Sequence, residues 1–356
     1  MTVRRIACLL LARHDPGGSS AQGTLVGRAR GGALSCSSAA RLRVRRRRPA
    51  LLLCRLPCDN LCMLKLCLVL ALACTGAPAA TQVVILGTGT PRADPSRSGP
   101  AVAVVYNGRA YLFDSGPGVV RRAAAAAVRL KIAALEAPRL NRVFLTHLHS
   151  DHTVGLPDLI LTPWVLGRKE PLDLYGPQGA TAMAGHLEAA WERDIDVRVH
   201  GLERANITGY QVTAHDVEAG VVYHEGEFKV TAFVVHHGSW PKAFGYRIDT
   251  PDRTIVLSGD CSPSPALVDA CHGCDVLLHE VYSLVDVKRP EPGWVEYLRD
   301  SHTSSAELAQ IAAKTRPKLL VLYHQLIRGT TDKALVREVR KDYRGRVVSA
   351  HDLDLY

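Results

Sequence analysis

The larger part of this 356-residue chain lacks an excess of charge. Residues 1–62 hold 12 arginines against two acidic residues, so the net charge of this leader is +10. From Ala80 to the end, 31 lysines and arginines face 32 acidic residues, which leaves a net charge of −1. A body without a basic excess argues against a protein that binds nucleic acid through clustered lysine and arginine.

Cysteine is also scarce beyond residue 79. Seven of the ten cysteines precede residue 80, and the other three are Cys261, Cys271 and Cys274. The run Cys271-His272-Gly273-Cys274 has the spacing of half a zinc knuckle, but residues 80–356 lack a second C-x-x-C pair. We interpret this run as a turn at the end of a helix, with a local disulfide or redox pair as the less favoured alternative.

The glycine-rich run Gly87-Thr88-Gly89-Thr90-Pro91 lacks the features of a phosphate-binding loop. It has neither the full G-x-G-x-x-G pattern nor a Walker lysine. We therefore interpret it as a tight structural turn, which argues against a nucleotide cofactor at this place.

Residues 63–79 lack a hydrophobic run long enough to span a membrane, which takes about 20 apolar residues. Met63 and Lys65 precede a short apolar stretch, and Ala77-Pro78-Ala79 follows it, in the order of a secretory signal peptide. We predict a disordered or over-extended leader at 1–62, a signal peptide at 63–79 and an exported domain at 80–356, periplasmic or secreted, with no transmembrane segment in the mature form. An organelle transit peptide and a lipoprotein site at Cys74 are the alternatives.

Strand-like segments are mixed with helical ones along residues 80–356, which are long enough for one large hydrophobic core. Asn107-Gly108 between two apolar runs predicts a two-residue hairpin turn. Short strands mixed with helices predict an α/β (α+β) fold of two packed sheets with helices outside. The predicted strands are 82–86, 101–106, 109–113, 228–235, 254–257, 276–278 and 319–323, and the predicted helices are 123–136, 179–192, 305–314 and 333–341.

The densest group of potential metal ligands is Thr146-His147-Leu148-His149-Ser150-Asp151-His152, directly after the apolar residues 143–145. Four ligand side chains fall within six residues, and a strand that ends in such a turn can present imidazoles and a carboxylate to two cations. This H-x-H-x-D-H pattern indicates a metal-activated water rather than a polar surface loop.

Three later segments repeat the order of an apolar strand followed by a ligand. His236 and His237 follow one apolar run, Asp260 follows another, and His324 follows a third. Together with the H-x-H-x-D-H motif they supply seven ligands. Such a set suits a binuclear site in which two metals share a carboxylate and a hydroxide.

These residues resemble the metallo-β-lactamase fold superfamily, and within it the ribonuclease Z and arylsulfatase-like branch. The resemblance extends over residues 82–356 and implies a four-layer αβ/βα sandwich with two zinc ions at one edge of the sheets, where Mn²⁺ or Fe²⁺ could substitute. It rests on the H-x-H-x-D-H motif and on Gly87-Thr88-Gly89-Thr90-Pro91, Asp114-Ser115-Gly116, Tyr175-Gly176-Pro177, Phe244-Gly245-Tyr246-Arg247, Ser258-Gly259-Asp260, His279-Glu280 and His302-Thr303.

The resemblance also implies an assignment of the ligands. His237 is preferred to His236 because the family's histidine directly precedes a glycine. One zinc would be held by His147, His149 and His237, the other by Asp151, His152 and His324, and Asp260 would bridge the two.

A hydrolytic mechanism follows from these roles. Two cations lower the pKa of a bridging water and supply a hydroxide, which Asp151 would orient. His302 resembles the family's general acid, with Glu280 holding its imidazole, although a helix-cap cluster is the alternative for this pair. Asp114 is interpreted as a supporting carboxylate rather than a ligand.

The substrate is predicted from a missing segment. Ribonuclease Z enzymes that cut transfer RNA usually carry an inserted arm before the bridging aspartate, but only 12 residues separate Arg247 from Asp260. We therefore predict a hydrolase of small anionic phosphodiesters or aryl sulfates, with nucleic acid as a less favoured partner. The alternatives are a 3′-end transfer RNA processing endoribonuclease, a lactonase and a non-catalytic metal-binding scaffold, and the sequence leaves a homodimer open.

Overall fold

The computed structural model describes residues 80–285 and 293–356, and its first sheet follows the chain strand by strand. The first three strands are antiparallel and the later ones pair in parallel. Asn107 and Gly108 have φ values of 48° and 73°, as the predicted hairpin turn between β2 and β3 requires. The strands, in their order across the sheet, are β1 (Gln82–Gly87), β2 (Ala101–Tyr106), β3 (Arg109–Phe113), β4 (Arg142–Phe144), β5 (Leu172–Gly176) and β6 (Val212–Asp216).

The second sheet repeats this plan. An antiparallel meander is followed by strands that pair in parallel from β10 onward. Both sheets thus begin with antiparallel strands and continue with parallel ones. The strands, again in sheet order, are β7 (Gly220–Glu225), β8 (Phe228–Val235), β9 (Ala243–Asp249), β10 (Thr254–Leu257), β11 (Val276–Tyr282), β12 (Leu319–Leu326) and β13 (Val347–Ser349).

Helices cover the outer faces of both sheets. Hydrophobic residues of α1 and α3 pack with the first sheet, and those of α6, α8 and α9 pack with the second. A third cluster lies between the sheets, so the fold is the predicted four-layer αβ/βα sandwich. The helices are α1 (Val119–Leu130), α2 (Ser150–Thr153), α3 (Leu156–Val165), α4 (Ala180–Ala190), α5 (Glu192–His200), α6 (Pro265–Cys271), α7 (Trp294–Ser301), α8 (Ser305–Thr315) and α9 (Asp332–Val339).

Aromatic side chains fill the space between the two sheets close to the H-x-H-x-D-H motif. The rings of Phe113 and Phe144 lie 5.1 Å apart, and Tyr246 from the second sheet lies 5.6 Å from Phe113. The Tyr246 hydroxyl donates to the Leu145 carbonyl at 2.7 Å, and the Phe244 N–H donates to the Thr146 carbonyl at 2.8 Å. The core thereby fixes the end of β4, where the motif begins, against β9.

Two predicted helices ran past a local break in the chain, and α1 also starts at Val119, before its predicted start. The helix predicted at 123–136 is α1, which ends at Leu130 because Lys131 adopts a left-handed conformation with φ 59°, and Pro138 lies in a short 3₁₀ turn that follows. The helix predicted at 179–192 ends at Ala190 and gives way to α5. In both cases a continuous run of helix-favouring residues hid a local break.

Cys271 and Cys274 form a disulfide at the end of α6, although the sequence favoured a plain turn. The turn is there as well, because the Cys274 N–H donates to the Cys271 carbonyl at 2.6 Å. No helix in the described residues is both long and apolar enough to cross a membrane. The predicted leader and signal peptide lie outside the described residues, so they and the predicted export stay predictions.

Candidate metal centre

The ends of four strands from both sheets bring the candidate ligands together. The H-x-H-x-D-H motif follows β4, and its last residues form the short helix α2. His237 follows β8, Asp260 follows β10, and His324 lies near the end of β12. All seven candidate ligands that the sequence predicted lie in groups whose potential ligand atoms are within 4.8 Å of one another.

Three histidines from both sheets form the first group, called here the three-histidine group. His147 Nε2 lies 2.9 Å from His149 Nδ1, and His237 Nε2 lies 3.1 Å from the same atom. The His237 Nδ1–H donates to the Ser301 carbonyl at 2.7 Å, which leaves the Nε2 lone pair facing the centre of the group. The group is therefore preset to receive one cation.

Asp151, His152, Asp260 and His324 form the second group, called here the carboxylate group. His324 Nε2 lies 3.3 Å from Asp151 Oδ2 and 3.4 Å from Asp260 Oδ2. His152 Nε2 lies 3.4 Å from the same Asp260 oxygen. Asp260 also joins a group with His147 and His152, so its carboxylate lies between the two groups, as a bridging ligand would.

Several buried atoms at this site lack a hydrogen bond within the described part of the chain, and two of them, His152 Nε2 and Asp260 Oδ1, belong to the carboxylate group and lie among the other ligands. Buried polar atoms are normally satisfied, and a cation would satisfy both of these. Nitrogen and carboxylate oxygen together suit zinc, and manganese or iron less selectively. The residues present therefore fit a divalent metal.

The pKa shifts of the site histidines and the buried carboxylates beside them also suit bound cations. Burial lowers the pKa of His147 well below its usual range and lowers that of His149 to about 4, so both imidazoles are neutral, which is the ligand form. Burial opposes a charge on His152 as well, but the carboxylates of Asp260 and Asp114 outweigh it and raise its pKa well above the usual value. The buried carboxylates thus require positive charge beside them.

Asp114 supports the ligands from behind. Its Oδ2 accepts the His152 Nδ1–H at 2.8 Å, and its Oδ1 accepts the Thr146 N–H at 2.8 Å. Asp114 and His324 both adopt positive φ angles, 61° and 43°, which are unusual for residues other than glycine. The supporting position of Asp114 agrees with the sequence interpretation, and two of the positive φ angles of non-glycine residues lie at the site.

The two adjacent histidines after β8 have opposite surroundings. His237 is buried in the three-histidine group, whereas the side chain of His236 is 59% exposed and its Nε2 lies 2.9 Å from Asp300 Oδ1. The structure therefore favours His237 over His236 as the ligand.

His302 and Glu280 lie at the edge of the same site. His302 joins a ligand-distance group with His237 and Asp260, and its Nδ1 lies 3.4 Å from Glu280 Oε2. Glu280 Oε1 accepts the Thr303 N–H at 2.7 Å. The alternative role as a helix-cap cluster fits Ser304, which caps α8. It does not fit His302, because His302 precedes the cap and lines the cavity above the ligands.

The cavity contains residues that sequence reasoning missed. It measures about 270 Å³, and beside the ligands it is lined by Trp294 and Tyr297 of α7, by Tyr282 and by Arg92 and Arg328. No spacing motif marks these residues, and the only sign of them in the sequence was an aromatic pair three positions apart.

Trp240, on the other side of His149, was also missed in the sequence. Its indole N–H donates to His149 Nε2 at 2.6 Å. The metal-binding form of His149 carries its hydrogen on Nε2, so Trp240 would lose this acceptor on metal binding.

Comparisons with known proteins agree with this geometry. The family model of the β-lactamase superfamily domain matches residues 109–325. The human short-form tRNase Z has a similar structure, with a TM-score of 0.55, 24% identity and 77% of this chain and 98% of that chain covered. The metallo-β-lactamase fold protein YhfI from Bacillus subtilis has a TM-score of 0.58 at 18% identity, with 79% and 99% covered. Both likenesses show the fold.

Fold and site together define a metal-dependent hydrolase. Ribonuclease Z of Mycobacterium marinum is 31% identical over 280 residues, which cover 76% of this chain and 96% of that protein. Ribonuclease Z of Mycobacterium bovis is 32% identical over 247 residues, which cover 68% and 85%. The chain belongs to the metallo-β-lactamase superfamily, in its ribonuclease Z branch. These relatives lend no support to the arylsulfatase-like alternative.

Proposed function

We propose that this chain is a metal-dependent phosphodiesterase that cleaves RNA. The observation that carries the proposal is the convergence of seven candidate ligands and His302 in ligand-distance groups, at the floor of a cavity that four of these ligands and His302 line. Relatives that are named ribonuclease Z support RNA as the substrate. The missing arm before Asp260 and the lack of a basic excess in the body favoured a small anionic ester, and the relatives reverse this order of preference.

The site is proposed to hold two divalent cations, with zinc as the first candidate. The three-histidine group would bind one, Asp151, His152 and His324 the other, and Asp260 both. When bound, the cations lower the pKa of a water toward neutrality and neutralise charge on the phosphate. Asp114 keeps His152 Nδ1 protonated, and the Ser301 carbonyl does the same for His237, so that each Nε2 stays available as a ligand.

The leaving oxygen of a phosphodiester needs a proton, and His302 is the proposed donor. Its Nδ1 faces Glu280 at 3.4 Å and its Nε2 faces the Tyr297 hydroxyl at 3.2 Å. A proton on Nε2 therefore points into the cavity, while Glu280 holds the other side of the ring. This arrangement places the donor beside the ligands without making it a ligand in the proposed assignment.

A small phosphodiester is the second candidate substrate. Strands β9 and β10 are joined by a tight hairpin, in which Asp249 pairs with Thr254 and the Thr250 N–H donates to the Arg253 carbonyl at 2.9 Å. The arm that the resemblance associates with transfer RNA cutting therefore has no room at this place. A substrate that needs no such arm would fit equally well.

The test uses the full chain, stripped of metal with a chelator and reloaded with Zn²⁺ or Mn²⁺. Two substrates are compared: a precursor transfer RNA with a 3′ extension, and bis(nitrophenyl) phosphate. His237→Ala removes a proposed ligand, and His236→Ala is the matched control because His236 is an exposed histidine next to it in the chain. We expect metal-dependent cleavage that His237→Ala lowers at least a hundredfold and His236→Ala leaves unchanged.

Each outcome decides between the candidates. Cleavage of the precursor at a defined site supports the RNA proposal, and cleavage of the small ester alone supports the second candidate. Metal binding without hydrolysis of either substrate would overturn both and favour the non-catalytic scaffold. Hydrolysis that survives His237→Ala would reject the ligand assignment.

A further inference from the structure

One wall of the cavity above the metal centre is a stack of planar side chains. Trp294 and Tyr297 are three positions apart on α7, so they lie on one face of the helix. Their rings are stacked with centroids 5.3 Å apart and an angle of 29° between the planes. The Arg328 guanidinium, from the chain after β12, lies 3.9 Å from the Trp294 ring centroid. Three planar groups thus form one continuous wall.

This wall is connected to the reacting groups. The Tyr297 hydroxyl lies 3.2 Å from His302 Nε2, and the two rings meet edge to face at 5.4 Å. Tyr297 and His149 line both this cavity and the neighbouring groove that contains Trp240. If His302 protonates the leaving oxygen, as proposed, the wall stands beside that oxygen.

The chemistry of the wall favours a planar ligand that carries an anion. Tyr297 is 40% exposed although it belongs to an aromatic stack, so part of its ring is open to a further planar group. Arg92 and Arg328 line the same cavity and bring positive charge to it. Aromatic rings bind nucleobases by stacking with little dependence on sequence, and arginine adds a cation–π contribution.

We propose that Trp294 and Tyr297 form a stacking subsite for a nucleobase next to the scissile phosphate. The inference rests on the proposed function, because it assumes a phosphate ester at the metal centre. Beyond the proposed function, it states that the enzyme recognises the nucleobase next to that phosphate. The subsite gives a preference for a base-bearing phosphate over the same sugar phosphate without a base.

The test is calorimetric binding to the full chain loaded with Zn²⁺, which needs no turnover. The two ligands are uridine 5′-phosphate and ribose 5-phosphate, which share the sugar and the phosphate. We expect the wild-type protein to bind the base-bearing ligand about tenfold more tightly, since stacking on one aromatic residue is typically worth that much. The same titration should quench the fluorescence of Trp294.

Variants of the wall test whether Trp294 and Tyr297 cause the preference for the base-bearing ligand. Trp294→Leu and Tyr297→Leu should each remove most of the tenfold preference while ribose 5-phosphate binding stays the same, and Trp294→Phe should keep most of it. Trp191→Leu is the control, because Trp191 is 37% exposed and lies outside the cavity. Two leucine variants are used so that a folding defect in one leaves the other as the test.

Three results would overturn the subsite: equal affinity of the wild-type protein for both ligands, no binding of either ligand, or a preference that persists in both leucine variants. Failure of the proposed function is seen separately. Hydrolysis of phosphodiesters without a base preference rejects the subsite alone. A base preference without hydrolysis of RNA or of the small ester rejects the proposed function alone.

Discussion

The partner of the second ring nitrogen decides what each histidine of the site can do. Asp114 takes the Nδ1–H of His152 and the Ser301 carbonyl takes that of His237, so the Nε2 atoms are left as ligands. His302 differs because its Nδ1 faces Glu280 across 3.4 Å. Burial raises the pKa of Glu280 well above its usual range, and the nearby Asp260 raises it further, which favours the neutral carboxyl in the folded, metal-free protein.

This raised pKa predicts a pH dependence of stability. A carboxyl whose folded pKa is raised stabilises the fold below its unfolded pKa of about 4.5, and this contribution is lost as the pH rises toward the folded pKa. Glu280→Gln has no proton to lose, and its amide oxygen can still accept the Thr303 N–H. We expect the free energy of unfolding of the variant to increase relative to wild type as the pH rises from about 4.5 to neutral pH.

The measurement is urea unfolding of both proteins in chelator across this pH range. The difference between the two proteins isolates Glu280, because the buried histidines titrate in both. A difference that stays constant with pH would show that Glu280 has no raised pKa.

The ends of individual strands and helices position the residues of the site, and the start of α8 is the clearest example. The Ser304 hydroxyl accepts the Glu307 N–H at 3.2 Å, and Glu307 Oε2 accepts the Ser304 N–H at 2.9 Å, which completes a capping box. His302 lies just before this cap and just after α7. The start of α8 therefore fixes the backbone that carries the proposed acid.

Removing the cap should cost stability. Ser304→Ala loses the hydroxyl acceptor, and we expect a loss of about 1 kcal/mol, or roughly 2–4 °C in Tm for a domain of this size. Ser304→Thr keeps the oxygen and should stay within a few tenths of a kcal/mol. Thermal unfolding followed by circular dichroism gives both values, and an alanine variant as stable as wild type would contradict this role of the cap.

The sequence predicted the elements that carry ligands better than those that line the cavity. The histidines and aspartates were recognisable because each follows an apolar strand, and strand ends of a sandwich meet at one edge. Trp294 and Tyr297 were missed because their contribution depends on where α7 packs, which no local pattern specifies. The length of α1 was missed because the left-handed C-cap at Lys131 leaves no sign in the helix propensity of the sequence.

At the scale of the molecule, the metal site joins the two sheets. His147, His149, Asp151 and His152 follow a strand of the first sheet, whereas His237, Asp260 and His324 belong to the second. Without cations, buried carboxylates and neutral imidazoles meet with unsatisfied atoms between the sheets. Bound metal should therefore stabilise the whole sandwich rather than one loop.

We expect chelation to lower the Tm of the protein and zinc to restore it. A ligand that binds only the folded state at a hundredfold excess over its Kd stabilises it by about 2.7 kcal/mol, which corresponds to roughly 5–10 °C for a domain of this size. Hydrogen exchange should slow at the ends of both β4 and β12, since ligands follow one strand and end the other. His236→Ala should keep the whole Tm shift, because that side chain is exposed, contacts Asp300 and belongs to none of the ligand groups. Asp260→Ala, which removes the carboxylate shared by both groups, should lose most of the shift. A Tm that is the same with and without metal would mean that the seven side chains do not form a metal centre, and the proposed hydrolysis would then have no basis in this cavity.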